Sequence, residues 1–80
     1  MEMDIYGFKA HVSVSKGWLV GEISELHIVD QAKTLGTLER RLKEGVETVF
    51  AAAQKNPQKY RKYLSASTLR MLGVKVQVYA

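Results

Sequence analysis

The chain has 80 residues, 46% of them apolar and 25% charged, with a formal net charge of +4 and no cysteine. That length supports one core and not two, because a chain this short buries only somewhat more than about 60% of the surface it exposes when unfolded. The composition excludes a disordered polymer, and the lack of cysteine excludes disulfides and thiolate metal sites.

The charge is unevenly spread. Residues 1–53 hold six Lys/Arg and eight Asp/Glu, a net of −2, whereas residues 54–80 hold six Lys/Arg and no acid, a net of +6. This asymmetry implies two partner surfaces, one of them able to attract phosphate or an acidic protein. The acidic start, Met1 to Asp4, lacks the basic and apolar regions of a secretory signal. The longest apolar run, Val49 to Ala53, is far below the roughly 20 residues that span a bilayer. A single soluble, cytoplasmic domain covering residues 1–80, with no membrane contact, is expected.

From Ile5 to Val14 the sequence alternates. Tyr6, Phe8, Ala10, Val12 and Val14 share one face and Gly7, Lys9, His11 and Ser13 the other, predicting a strand with one buried side. Ser15-Lys16-Gly17 supplies a turn with a glycine for positive φ, and Trp18 to Ile23 reads as the second strand of a hairpin. Glu25-Leu26-His27 is a second reversal, followed by a short third strand from Ile28 to Ala32.

Thr34 is suited to cap a helix whose apolar stripe is Leu35, Leu38, Leu42, Val46, Val49 and Ala53, admitting Phe50 as well. On its other side, Glu39 with Lys43 and Lys43 with Glu47 form i,i+4 pairs worth a few tenths of a kcal/mol at most. Gly36 and Gly45 weaken the helix unless something approaches its backbone closely.

Asn56-Pro57 signals a new helix, with Asn as N-cap and Pro at the first helical position. Its apolar members Tyr60, Tyr63 and Leu64 give way to a break at Ser65-Ala66-Ser67, and Thr68 to Leu72 forms a last helical turn closed by Gly73. Val74, Val76 and Val78 then alternate with Lys75, Gln77 and Tyr79, which predicts a terminal strand able to pair beside the first. The order β-β-β-α-α-β points to an α+β fold, an antiparallel or mixed sheet with helices packed on one face.

Catalytic patterns are missing from the sequence. His11 and His27 have no partner at metal-ligand spacing, and the serines at 13, 15, 24, 65 and 67 have no elbow motif. The glycines form no phosphate-binding loop, and Asp4, Glu22 and Asp30 are too few for two-metal chemistry. A non-enzymatic protein without metal or other cofactor is expected. Lys55, Lys59, Arg61, Lys62 and Arg70, interleaved with Tyr60 and Tyr63, carry the one feature of nucleic-acid character, because cations neutralise phosphates and aromatics stack on bases.

Val29-Asp30-Gln31-Ala32-Lys33-Thr34-Leu35, preceded by Trp18-Leu19-Val20-Gly21-Glu22-Ile23 and followed by a long amphipathic helix, resembles the HicB-like antitoxin family over roughly residues 5–53. The resemblance implies a ribonuclease H-like β-β-β-α-β core that has lost its catalytic carboxylates. It also implies a homodimeric protein that binds and neutralises a small basic ribonuclease toxin of the HicA type. Three departures stand out: Ser24-Glu25-Leu26-His27-Ile28 replaces the family's Pro-rich turn, Thr37 stands where a Glu is usual after the cap, and the C-terminal part is basic. On this reading Glu22, Glu25, Asp30 and Gln31 face the basic partner. The alternatives are a small nucleic-acid-binding protein using the helix from Pro57 to Leu72 through Lys55, Lys59, Arg61, Lys62 and Arg70, and an orphan or phage domain that modulates another host protein.

Overall fold

The computed structural model describes residues 1–73. Four strands, β1 (Glu2–Ile5), β2 (Phe8–Ser15), β3 (Trp18–Ile23) and β4 (Ile28–Ala32), are followed by α1 (Leu35–Lys55), α2 (Pro57–Arg61) and α3 (Ala66–Met71). The strands form one antiparallel sheet in the order β1-β2-β3-β4. The chain is therefore α+β, with four strands and three helices among the described residues where the sequence predicts three and two before its terminal strand. That terminal strand, Val74 to Tyr79, lies outside the described residues.

The extra strand corrects the reading of Ile5 to Val14 as one strand. Tyr6 and Gly7 both have positive φ, 53° and 88°, as a two-residue hairpin turn requires, and Ile5 pairs directly with Phe8. Such a turn shifts the inward parity by one residue. Met3 and Ile5 precede it on the core side, Phe8, Ala10 and Val12 follow it, and Tyr6 projects from the turn itself. Val14 keeps the parity of the core but is 73% exposed, because nothing among the described residues covers the hairpin tip.

Lys16-Gly17 makes the second turn, again with positive φ at both residues. Between β3 and β4 a single 3-10 turn, Ser24–Leu26, ends at His27 in the left-handed conformation and buries Leu26. No glycine is needed there, because one residue absorbs the strain.

Helix α1 begins where the Thr34 hydroxyl accepts the Thr37 N–H, and it lays Leu38, Leu42, Val46 and Ala53 into the core. The stripe is narrower than its sequence spacing implies, since Leu35 is 42% and Phe50 44% exposed. The sheet meets this helix at Gly21, where an added Cβ would lie 2.8 Å from a Leu42 methyl carbon and 3.3 Å from Leu38. A glycine in β3 thus permits the close approach of two fully buried leucines. Gly45 does the same against the Ile28 side chain, whereas nothing lies within 4 Å of a Cβ at Gly36. Of the two charge pairs on α1, Lys43 bridges Glu39 at 3.5 Å. Glu47 instead accepts the Tyr6 hydroxyl at 2.8 Å.

Asn56 caps α2 through the Lys59 N–H, and Ser65 caps α3 through the Thr68 N–H. Leu64, Leu69 and Leu72 complete the core, and the Gln54 side chain ties α1 to the Leu72 carbonyl. No helix among the described residues is long and apolar enough to cross a membrane.

Candidate interaction surfaces

Strand pairing sorts the side chains of the sheet into two sets. Registers Glu2 with His11, His11 with Glu22, and Glu22 with Val29 place these four in one row across all four strands. A parallel row runs Ser13, Val20, Gln31, and a third begins Ser15, Trp18. None of these residues is buried. They occupy the face opposite Phe8, Ala10, Gly21 and Ala32, which lie under the core.

This outer face is mainly polar, as the solvated side of an antiparallel sheet ordinarily is, but it carries three apolar side chains, Trp18, Val20 and Val29. Val20 is half-buried within the sheet, Trp18 is half-buried at its β2–β3 hairpin end, and Val29 is exposed. The Lys33 ammonium lies 4.1 Å from the centroid of the Trp18 ring, covering part of it. Glu22 and Gln31 flank Val20, one on its own strand and one directly across. Near Glu2, the His11 ring nitrogen is 4.0 Å from one carboxylate oxygen, and Lys9 is 3.7 Å from the other.

The four residues expected to face a basic partner do not form one group. Glu22 and Gln31 share the outer face, and Glu25 is exposed on the 3-10 turn that leaves it. Asp30 pairs with Gly21 and so falls on the helix side of β4. Its carboxylate accepts the Gln31 N–H at 2.7 Å, and Arg41 reaches from α1 to the Gln31 carbonyl at 3.0 Å and to Asp30 at 3.8 Å. Sequence spacing cannot reveal this closure, because its parts come from a strand and from a helix ten residues on.

The basic residues Lys55, Lys59, Arg61, Lys62 and Arg70 are all exposed, at the end of α1, on and just after α2, and on α3. Of the two tyrosines interleaved with them, Tyr60 packs against the core and Tyr63 does not, being 62% exposed. Tyr63, one of the apolar members the sequence assigns to this helix together with Tyr60 and Leu64, thus does not join them in the core. Among the described residues no three His, Asp or Glu side chains converge closely enough to hold a metal ion.

A shallow groove of about 180 Å³ opens between the first turn, the second half of α1 and the end of α3, lined by Tyr6, Phe8, Val46, Glu47, Phe50, Met71 and Leu72. It is smaller than the roughly 300 to 1,000 Å³ of most small-molecule sites. Hydrogen bonding to the Glu47 carboxylate holds the Tyr6 phenol above its ordinary pKa of 10.0, with smaller contributions from desolvation and from the carboxylate charge. Comparison with protein-family models, with curated proteins and with solved structures returns no match for this chain.

Proposed function

We propose that this chain is a non-enzymatic protein-binding domain of the HicB-like kind, with helices on the inner face of the sheet and the outer face docking a small basic protein. The observation that carries this reading is the partly exposed set of Trp18, Val20 and Val29 on the outer face, which also carries the carboxylates of Glu2 and Glu22, with Glu25 on the adjoining turn. Partly exposed tryptophan and valine contribute to binding when a partner covers them, and carboxylates around such a centre steer a cationic partner into register. A small ribonuclease toxin of the HicA type has that chemistry. The resemblance of residues 18–35 to HicB-like antitoxins favours it over other basic proteins.

The test is inhibition of RNA cleavage by a small basic ribonuclease encoded beside this chain, co-expressed and purified with it. Glu22→Lys and Val20→Lys are expected to release the ribonuclease and weaken binding at least tenfold. Asp30→Asn, on the opposite face, should leave inhibition intact. Full inhibition by both outer-face variants would refute the docking surface, and absence of any inhibited ribonuclease would refute the antitoxin reading.

A further inference from the structure

We infer that the turn from Lys59 to Tyr63 forms, with Lys55 and Arg70, a second binding surface, separate from the outer sheet face, that takes single-stranded nucleic acid. Residues 54–73 contain five Lys/Arg and no carboxylate. Lys55, Lys59, Lys62 and Arg70 make no ion pair among the described residues, so their charge is not neutralised locally. Elsewhere cations are partly engaged: Lys9, Arg41 and Lys43 each lie within 4.0 Å of a carboxylate.

Backbone geometry divides this segment into an inner and an outer side. The Leu64 N–H bonds the Tyr60 carbonyl at 2.8 Å, and the Lys62 N–H bonds that of Lys59 at 3.3 Å, so the helical path of α2 continues past Arg61. Tyr60 and Leu64, four apart, pack inward against the core. Lys59 and Lys62, at i and i+3, share an outward side, and Tyr63, also exposed, flanks it next to the Tyr60 row.

Tyr63 is held in place by its backbone and not by its ring. Its carbonyl lies 3.3 Å from the His27 Nε2, which anchors the turn to the link between β3 and β4. The ring is left exposed on a segment that also carries the exposed Lys59 and Lys62. Cations tracking a phosphate backbone next to an open aromatic ring are the elements by which single strands are bound without sequence preference. A duplex offers no unpaired base to that ring, which makes a single strand the better occupant.

The full chain should be titrated with fluorescein-labelled oligo(dT) and oligo(rU) of twenty nucleotides at 50 and 200 mM salt, with heparin as a charge-only control. With four phosphates neutralised, affinity should fall about fifty-fold between those salts, from a slope of about −0.7 per contact. The double substitution Lys59→Ala with Lys62→Ala should flatten the slope by about 1.4. Tyr63→Ala should weaken binding about tenfold with the slope unchanged, and Tyr63→Phe should retain affinity. All these residues are exposed, so circular dichroism should show folded variants. Unaltered affinity and slope in the lysine variant would overturn the surface. A silent Tyr63→Ala, or heparin binding as tight as the oligonucleotides, would overturn the single-strand assignment.

Discussion

The Arg41 guanidinium and the Asp30 carboxylate approach to 3.8 Å at the outer edge of β4, and between them they occupy both backbone groups of Gln31. In antiparallel pairing the Gly21 and Asp30 backbones face one another, which turns the Gln31 N–H and C=O away from the sheet. An edge strand with free groups is a template for pairing with another chain. Among the described residues β4 is such an edge, and the side chains of its own neighbours fill that template at its centre.

Arg41→Ala should therefore increase self-association more than it lowers stability. The pair is about half exposed, which limits its contribution to below about 1 kcal/mol. Light scattering coupled to size exclusion, compared with the native chain at equal concentration, measures the first effect and thermal unfolding the second. A variant as monodisperse as the native chain would show that the edge needs no protection.

Substitutions at two glycines should act in opposite directions. Gly21→Ala places a Cβ 2.8 Å from a Leu42 methyl carbon in the core and should destabilise by about 1 to 3 kcal/mol. Gly36→Ala meets nothing within 4 Å and should stabilise by up to about 1 kcal/mol through helix propensity. Urea titration of both variants decides the matter through the sign of each change in midpoint.

Removing the α1 cap by Thr34→Ala leaves the Thr37 N–H without its side-chain acceptor. A loss of about 1 kcal/mol is expected, with Thr34→Ser recovering most of it. Chemical denaturation of the two variants in parallel separates loss of the hydroxyl from loss of the methyl group.

Tyr6 supplies a dependence on pH. Its phenol is the protonated, neutral form, and the folded state holds the pKa above the unfolded value. The stability this confers is complete below pH 10.0 and is lost as pH rises through the raised pKa. Ultraviolet titration of the phenolate, compared between the native chain and Tyr6→Phe, should show the Tyr6 phenol ionising above pH 10.0. Glu47→Ala should bring it back toward the ordinary value, because the hydrogen bond and the carboxylate charge disappear together. An unchanged titration curve in that variant would rule out Glu47 as the cause.

Much of the local structure is legible in the sequence. Thr34 and Asn56 mark two helix starts, and each cap is satisfied by the N–H three residues on, whereas Ser65, which the sequence reads as part of a break, caps a third helix that begins at Ala66. Gly17 and Gly73 adopt the positive φ expected of turn and helix-end glycines. The first turn is hidden for a physical reason. Tyr6 continues the apolar alternation through a two-residue hairpin that reverses its parity, so one long strand and two short ones give nearly the same pattern. His27 is concealed likewise, being a non-glycine residue at a positive φ of 56°.

For the candidate surfaces, sequence alone identified which charges exist and that the basic ones cluster after residue 53. Local interactions suffice for that, since caps, helical spacing and charge runs involve residues a few positions apart. Tertiary structure decided which charges remain available. It turned Glu22 and Gln31 outward around Val20, engaged Asp30 with Arg41, and separated Tyr60 from Tyr63. Those outcomes depend on strand register and on a helix resting over Gly21, contacts between residues far apart in the chain.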